Sequence, residues 1–574
     1  MRSLPKLFLI SGTISHEMEL PWKSAEAWCR KGQEYARQGQ YDRAIQQSPG
    51  TSTAWYQKGL ALTAARNHRG AIECFDQAIR IDPTSPWFWQ ARGQALYEIG
   101  EYREAVGSAG QAVKLAPDAA DAWLIRGHAL RKIGLIPEAI ECYDRVVALE
   151  PDRIDAWLAR GTALATERRY EAAIECYDRV AALDPGNANV WYARGTIEAL
   201  LSRFEDALAS YDRAVAIDPN HADTWYTKGC TLSALQRYDK AIGCFDRALA
   251  LRPGDLEAWY NRGRALQSLE HYEEALDSYE RAFRINPDYP GIWYQKAMVL
   301  NKLKRHELAL ACFDRALRAN AVDAEIWYQK GLLYCTLKRY EDALECFGQA
   351  LKLRPDHTDA EYHRGESHYA LGDYEAAIES YRSVVRAHPD NAIAWNNYGN
   401  ALYLLEHYEE ALVCYERALE IDPENQGVWN NKASVLAVLS HYDKALVCYD
   451  QELRAHPENA DAWYSKGLAL SVLGRYGEAV TCYTHALEID PTRVEAWITK
   501  GNALVLLERC DEAIACYDRV LAINPDDAEA LNGKAVALIN LGRPAEAVKY
   551  YERLQRLPGW KRKGERSPGK EKEV

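Results

Sequence analysis

Residues 225–258 read WYTKGCTLSALQRYDKAIGCFDRALALRPGDLEA, and residues 259–292 read WYNRGRALQSLEHYEEALDSYERAFRINPDYPGI. Both stretches are 34 residues long and begin with tryptophan, followed by glycine after four residues, alanine after sixteen, an aromatic residue after twenty and proline after twenty-eight. The spacing holds from Trp55 to Trp497, with Glu361 once in the tryptophan place, and Leu531 opens the last unit. Fifteen units therefore lie in register without insertion or deletion.

The order of small and large residues indicates two helices in each unit. In the first unit, apolar residues at helical spacing predict one helix over residues 54–62 plus a turn, and a second over 69–81. Gly59 and Ala71 are small enough for the two helices to approach closely, and the large tryptophan and twentieth-place aromatic are expected to fill the space between units. Pro83 ends the second helix. Because neither helix can bury its apolar face alone, neighbouring units must stack.

This pattern resembles the tetratricopeptide repeat, which has the same 34-residue length. The resemblance covers residues 24–557, and the near-identical units are similar to those of long prokaryotic and archaeal arrays. It implies an all-α fold, a right-handed superhelical solenoid of antiparallel helix pairs with a concave groove. Residues 52–557 are expected to form the fifteen tandem repeats.

The two ends of the chain depart from the repeat. Residues 21–51 contain Trp28 but lack seven residues of a full unit, and we interpret them as a degenerate N-terminal repeat. Residues 1–20 are interpreted as a disordered leader or as a mis-assigned start preceding Met18. Residues 558–574 are polar and basic, and are predicted to be a disordered tail.

Composition disfavours several classes of function. A net charge of -13 repels phosphate backbones, so nucleic-acid binding is not expected. No stretch is apolar enough to span a membrane, and none carries a phosphate-loop, zinc-protease or serine-hydrolase motif. We therefore predict a cytoplasmic protein that is not an enzyme and needs no cofactor or metal. Ten of the 14 cysteines share one repeat place, which favours small packing residues in a reducing compartment over disulfides.

A basic residue stands three places after the tryptophan in fourteen of the fifteen units, with Tyr398 as the exception. We call these residues the basic ladder. An acid such as Asp76 or Asp144 often stands twenty-one places after the tryptophan, which favours a repeated ion pair between helices. Arg364 has no such acid in its own unit, because Arg382 occupies that place. The alternative is that the ladder binds an anionic partner such as a nucleic acid.

The resemblance places a binding groove on the first helices, at two places before the tryptophan and one, two, five and eight after it. Tyrosine stands one after in six consecutive units, and acids are frequent two before. This pattern predicts an acidic, aromatic stripe that binds an extended peptide carrying Lys or Arg. The alternative is that the tyrosines pack between first helices and the acids cap helix N-termini. The candidate residues are Tyr192, Tyr226, Tyr260, Tyr294, Tyr328, Tyr362, Asp223, Glu257 and Glu325.

Amides replace the tyrosines further along the chain. This run is similar to the asparagine-lined repeats of O-linked N-acetylglucosamine transferase, which implies that the amides hold a peptide backbone. An asparagine amide offers both a donor and an acceptor, as that role requires. The candidate residues are Asn396, Asn397, Asn400, Asn430 and Asn431.

The Glu361 unit has His363 and His368 but no tryptophan. The histidines are five positions apart, which is a poor spacing for a metal site on a helix, so we interpret the unit as a weak point of the array. The function predicted for the whole chain is a scaffold or adaptor that binds extended peptides or partner helices in its groove. Self-assembly of the solenoid and nucleic-acid binding remain alternatives.

Overall fold

A computed structural model of the chain describes residues 52–425 and 427–557, which form thirty α-helices and no strand. The helices form fifteen pairs, one for each 34-residue unit, with an odd-numbered first helix and an even-numbered second helix. Two compact units, residues 1–292 and 293–574, divide the chain and are described separately. The N-terminal leader, the degenerate repeat and the basic tail predicted from the sequence lie outside the described residues.

The helices of the first unit are α1 Ser52–Ala64, α2 His68–Ile81, α3 Pro86–Glu98, α4 Tyr102–Leu115, α5 Ala120–Lys132, α6 Ile136–Leu149, α7 Ile154–Thr166, α8 Tyr170–Leu183, α9 Ala188–Leu200, α10 Phe204–Ile217, α11 Ala222–Ala234, α12 Tyr238–Leu251, α13 Leu256–Ser268 and α14 Tyr272–Ile285. Those of the second are α15 Ile292–Lys302, which begins at the boundary, α16 His306–Ala319, α17 Ala324–Thr336, α18 Tyr340–Leu353, α19 Thr358–Ala370, α20 Tyr374–Ala387, α21 Ala392–Leu404, α22 Tyr408–Ile421, α23 Val428–Val438, α24 Tyr442–Ala455, α25 Ala460–Val472, α26 Tyr476–Ile489, α27 Val494–Leu506, α28 Cys510–Ile523, α29 Ala528–Asn540 and α30 Pro544–Gln555.

Within each of the two compact units, the helices stack in sequence order. From α1 to α14 and from α16 to α30, each helix packs against the next one along the chain. Buried clusters therefore run through several consecutive repeats, as in the cluster that extends from Ala120 to Ala214. The all-α fold and the antiparallel helix pairs predicted from the sequence are confirmed. No helix in the described ranges has the length and apolarity needed to cross a bilayer.

A left-handed residue reverses the chain between the two helices of a pair. It stands eleven places after the tryptophan and is often not glycine, as at Gln236 (φ 58°) and Glu270 (φ 62°). The reversal lets the amide of Arg237 donate to the carbonyl of Leu232 at 2.9 Å, which satisfies a carbonyl at the helix end. These turns could not be predicted from the amino-acid types, because non-glycine residues adopt this conformation only rarely.

The two large aromatic residues of a repeat have different environments. The ring twenty places after the tryptophan is fully buried, as in Phe245 and Tyr279. The tryptophans of the repeat are half-buried, except Trp191, which is buried. The indole of Trp225 instead donates to the carbonyl of Pro219 at 3.0 Å, and the same bond recurs in most repeats. Both aromatic residues thus pack between repeats as predicted, but tryptophan does so at the edge of the core, as Trp123 and Trp157 do, and also bonds a loop to the first helix.

The recurring cysteines are buried, as expected for small packing residues. Cys142 and Cys176 lie between helices, and burial raises the pKa of Cys142 to about 11. The thiol of Cys176 also accepts a hydrogen bond from Arg160 at 3.0 Å. Serine takes the same place in other repeats and makes the same contact, as Ser278 does with Arg262 at 2.7 Å.

Restoring the missing tryptophan in Glu361→Trp is expected to raise the free energy of unfolding by about 1 kcal/mol, since an indole buries more apolar area than a carboxylate. Glu361 now bonds Arg364 at 2.5 Å. That arginine keeps its bond to Ser380 when the carboxylate is removed. Urea denaturation of the whole chain measures the change. A variant no more stable than the wild type would show that this repeat is not a weak point.

Candidate functional site

The candidate groove residues lie on one face of the first helices. Hydrogen bonds show that successive first helices lie side by side. The residue one place after the tryptophan position of one repeat bonds to the residue two places after the tryptophan position of the next repeat. Asn261 donates to the Tyr226 hydroxyl at 3.0 Å in this way, and Asn397 donates to the Tyr362 hydroxyl at 2.9 Å. The groove residues therefore form rows that cross the helices.

The tyrosines form such a row in each of the two compact units, and they pack against neighbouring aromatic side chains. Tyr192 contacts the buried ring of its own repeat, Tyr211, at a centroid distance of 6.4 Å, and His221 of the next repeat at 5.2 Å. The same arrangement places Tyr328 between Phe347 at 6.1 Å and His357 at 4.7 Å. Tyr226, Tyr260, Tyr294 and Tyr362 make the same contact with their own buried ring.

Each tyrosine in the row is half-buried, so it presents part of its ring to the groove. Burial raises the pKa of Tyr328 to about 12, and the negative charges of Asp359, Glu325 and Glu366 add to the rise. Burial likewise raises the pKa of Tyr362. These hydroxyls therefore remain protonated at neutral pH and can donate to a ligand.

The acids two places before the tryptophan do not cap their helices. The cap residues stand two places earlier, as His221 does for α11 and Asp255 for α13. The acids lie in the first turn and contact the loop that precedes the next first helix. Asp223 pairs with Arg252, and Glu257 accepts from the Tyr289 hydroxyl at 2.9 Å. Glu325 lies 3.8 Å from His357 in the second unit. The acids are therefore not the N-cap residues, although they lie in the first turn where the helix dipole favours them, and part of the acidic stripe is engaged within the protein.

The asparagines of α21 and α23 form a bonded cluster. Asn431 donates to Asn396 at 3.1 Å and to Asn400 at 3.0 Å. Asn400 also accepts from the Tyr415 hydroxyl at 2.9 Å, which ties the cluster to the core. Asn396 donates to Asn397 at 3.4 Å. The side-chain oxygen of Asn430 is buried and accepts from none of the described residues. These bonds fix the orientation of the amides before any ligand arrives.

The basic ladder forms ion pairs between adjacent repeats. Arg262 contacts Asp246 of the preceding second helix at 2.6 Å and lies over Trp259 of its own repeat, 5.8 Å from the ring centroid. The prediction of an ion pair is confirmed, but the acid belongs to the preceding repeat and not to the same one. The other ladder pairs of this kind are Arg92–Asp76, Arg160–Asp144, Arg194–Asp178, Lys228–Asp212, Lys330–Asp314, Lys432–Glu416, Lys466–Asp450 and Lys534–Asp518.

This pairing directs the ladder to the second helices and away from a groove ligand. Lys330 shows the electrostatic effect: burial opposes its charge, yet the hydrogen bond to Asp314 raises the pKa of its ammonium group. Arg364 confirms the rule, because the matching place in the preceding repeat is Gly348 and the arginine bonds Glu361 instead.

Each of the two histidines on the first helix of the Glu361 repeat contacts one carboxylate. His363 contacts Glu366 at 2.7 Å, and His368 lies 3.3 Å from Asp373. Within residues 52–425 and 427–557, no three metal-ligating side chains come together. Sequence reasoning missed the residue four places before the tryptophan position, which packs its ring at a tilt or edge-on against the preceding groove tyrosine, as at His221, Tyr289 and His357. Aromatic residues recur at that place and could have signalled this contact.

Family models described as tetratricopeptide repeat match almost the whole chain. They match residues 25–47, 52–85, 74–107, 91–154, 126–188, 158–222, 226–290, 266–333, 328–387, 362–426, 414–447, 460–493 and 498–559. No curated protein sequence matches the chain at a significant level.

Several solved structures are similar to the chain at low identity. MamA is 22 % identical, covers 30 % of this chain and 94 % of its own, and has a TM-score of 0.29. YrrB, described as a TPR protein with an unusual peptide-binding site, is 22 % identical over 35 % of this chain and 99 % of its own, with a TM-score of 0.30. The Cut9–Hcn1 hetero-tetramer of the APC/C is 15 % identical over 84 % of this chain and 96 % of the other, with a TM-score of 0.33. At these TM-scores the likenesses carry no argument about function.

Proposed function

The chain belongs to the tetratricopeptide repeat family, and from this we propose that it is a cytoplasmic, non-enzymatic scaffold that binds peptide segments of other proteins along the groove face of its first helices. The supporting observation is the bonded asparagine cluster of α21 and α23. Its amides are held in fixed orientations, and the neighbouring Asn430 has a buried side-chain oxygen with no hydrogen-bond partner in the described part of the chain.

An asparagine cluster of this kind suits a peptide backbone. A backbone amide needs both a donor and an acceptor, which one asparagine side chain supplies. Because the cluster is ordered in advance by Tyr415 and by bonds between the amides, little side-chain entropy is lost when a peptide binds. The tyrosine rows extend the same face with aromatic surface, which adds contacts with aliphatic or basic side chains.

Removing amides should weaken peptide binding without unfolding the array. We expect a peptide selected from a random library by the whole chain to bind the combined Asn396→Ala, Asn431→Ala variant about 30-fold more weakly, since two hydrogen bonds of about 1 kcal/mol each are lost. Fluorescence anisotropy of the labelled peptide measures the dissociation constant.

The control is Asn220→Ala, which alters an exposed loop asparagine, and it should leave affinity unchanged. Thermal melting of both variants checks that the fold is retained. A selected peptide that binds the amide variant and the wild type equally would place the binding surface elsewhere and contradict the proposal.

A further inference from the structure

An apolar stripe crosses four consecutive first helices of the second unit. Leu404, Val438, Val472 and Leu506 stand nine places after the tryptophan position of their repeats, at the ends of α21, α23, α25 and α27. Their exposed fractions lie between 42 and 63 %. In the ten preceding repeats the same place holds Ala, Glu, Lys, Thr, Ser and a single Leu. Four exposed aliphatic residues in succession are therefore particular to this section.

The apolar stripe lies on the groove face. Place nine and the place two before the tryptophan are separated by eleven residues, which is three helical turns, so both positions point in the same direction. Along the helix axis they are about 16 Å apart. One first helix thus carries the apolar stripe at its end and an acid position at its start.

The acid positions of this section are occupied in three successive repeats. Asp461 pairs with Arg493 at 2.5 Å, whereas Glu495 and Glu529 are exposed and form no ion pair within the described ranges. Both lie near the groove tyrosine of α25: burial raises the pKa of the Tyr464 phenol, Arg493 opposes the rise, and Glu495 and Glu529 add to it. The apolar stripe therefore ends on α27, and the carboxylates without an ion pair among the described residues lie at the opposite ends of the first helices, on α27 and the following α29.

We propose that this section of the groove binds an amphipathic α-helix of a partner protein, with aliphatic residues on the apolar stripe and Lys or Arg side chains against Glu495 and Glu529. The inference rests on the proposed scaffold function and names the class of ligand. It concerns a different chemistry from the asparagine cluster, since it uses side chains of the partner and not its backbone.

The dimensions of a helix fit this site. An α-helix with side chains is about 10–12 Å wide, so it fills most of the roughly 16 Å between the apolar stripe and the acid positions, and a lysine stem spans the remainder. Helices that pack side by side lie about 8–10 Å apart, so the residues of the apolar stripe recur at nearly that distance. Seven residues of a partner helix rise about 10.5 Å, which matches one aliphatic residue per repeat.

Synthetic helices test the proposal on the whole chain. The probe is a labelled peptide of about 24 residues with Leu at every seventh place and Lys along the opposite side. We expect binding to the wild type and a loss of about tenfold or more in the combined Val438→Thr, Val472→Thr variant, because two buried aliphatic contacts become polar. Glu495→Gln with Glu529→Gln should weaken binding and remove most of its dependence on salt.

The chain supplies a matched control. Val413 and Val447 are equally exposed valines on the second helices α22 and α24, outside the groove face. The combined Val413→Thr, Val447→Thr variant should bind as the wild type does. Equal losses in the two valine pairs, or no binding of the helical peptide, would overturn the inference. A peptide of the same composition interrupted by proline separates the two proposals: equal binding of that peptide rules out a helix, yet leaves peptide recognition by the groove intact.

Discussion

Phe245→Ala is expected to lower the free energy of unfolding by about 3–5 kcal/mol, the largest effect of any single substitution considered for this protein. The ring is fully buried between α11 and α12, and it contacts Tyr226 of the groove at a centroid distance of 6.1 Å. Its loss leaves a cavity that the helices cannot close, because Ala241 and Ala248 nearby are already small. Urea denaturation followed by circular dichroism measures the change.

Phe245→Tyr is the matched control, and it should keep or slightly raise stability. Tyrosine occupies this place in many repeats, and Tyr483 bonds there to Ser471 at 3.0 Å. The equivalent serine in the Phe245 repeat is Ser233, whose buried hydroxyl has no partner among the described residues. A new hydroxyl can therefore satisfy it. Similar losses for the alanine and tyrosine variants would mean that the cavity is not the cause.

Gly229→Ala should also destabilise the fold, although alanine is the better helix former. A Cβ atom at this position would lie 2.7 Å from the Phe245 ring, which cannot move in its closed site. Overpacking costs about 1–3 kcal/mol, and the gain in helix propensity of about 1 kcal/mol offsets only part of it. Alanine does occur at the equivalent place in α15, α23 and α29, and the first two of these helices begin two residues later in their repeats.

The same repeat provides the opposite case. Gly243 lies in the middle of α12, where an added Cβ would meet nothing within 4 Å. Gly243→Ala should therefore raise the free energy of unfolding by about 1 kcal/mol. Differential scanning calorimetry of the two variants gives the comparison directly. A stabilised Gly229→Ala would show that the helix pair has room that the structure does not show.

The sequence predicted the helix pairs well because spacing alone determines them. The first pair was expected over residues 54–62 plus a turn and 69–81, and it forms over Ser52–Ala64 and His68–Ile81. Burial of individual side chains was harder to predict. Trp225 and Phe245 are both large aromatics at fixed places, and only a bond such as that from the Trp225 indole to Pro219 shows which of them lies at the edge.

The groove residues were located by resemblance, and their contacts were not predictable from one repeat. Tyr226 bonds Asn261 of the next repeat, and Arg262 pairs with Asp246 of the preceding one. Both contacts join adjacent repeats. Asp246 is 16 positions from Arg262 of the next repeat, whereas the acid and the base of one repeat are 18 positions apart. The shorter separation could have identified the acid that pairs with each base. That a ligand binds these residues is still a prediction.

The ladder also bears on how a chain of near-identical repeats avoids misalignment while folding. Any repeat with a base at its start can dock on any repeat with an acid at its end, so slipped or exchanged pairings compete with the native order. One junction reverses this charge pattern. Arg382 occupies the acid place and donates to the hydroxyl of Tyr398, which occupies the basic place, at 3.2 Å. A slipped pairing would put Arg382 against a lysine or arginine. Repulsion between the two positive charges therefore disfavours the slipped order, and the reversed junction specifies the native register of the repeats.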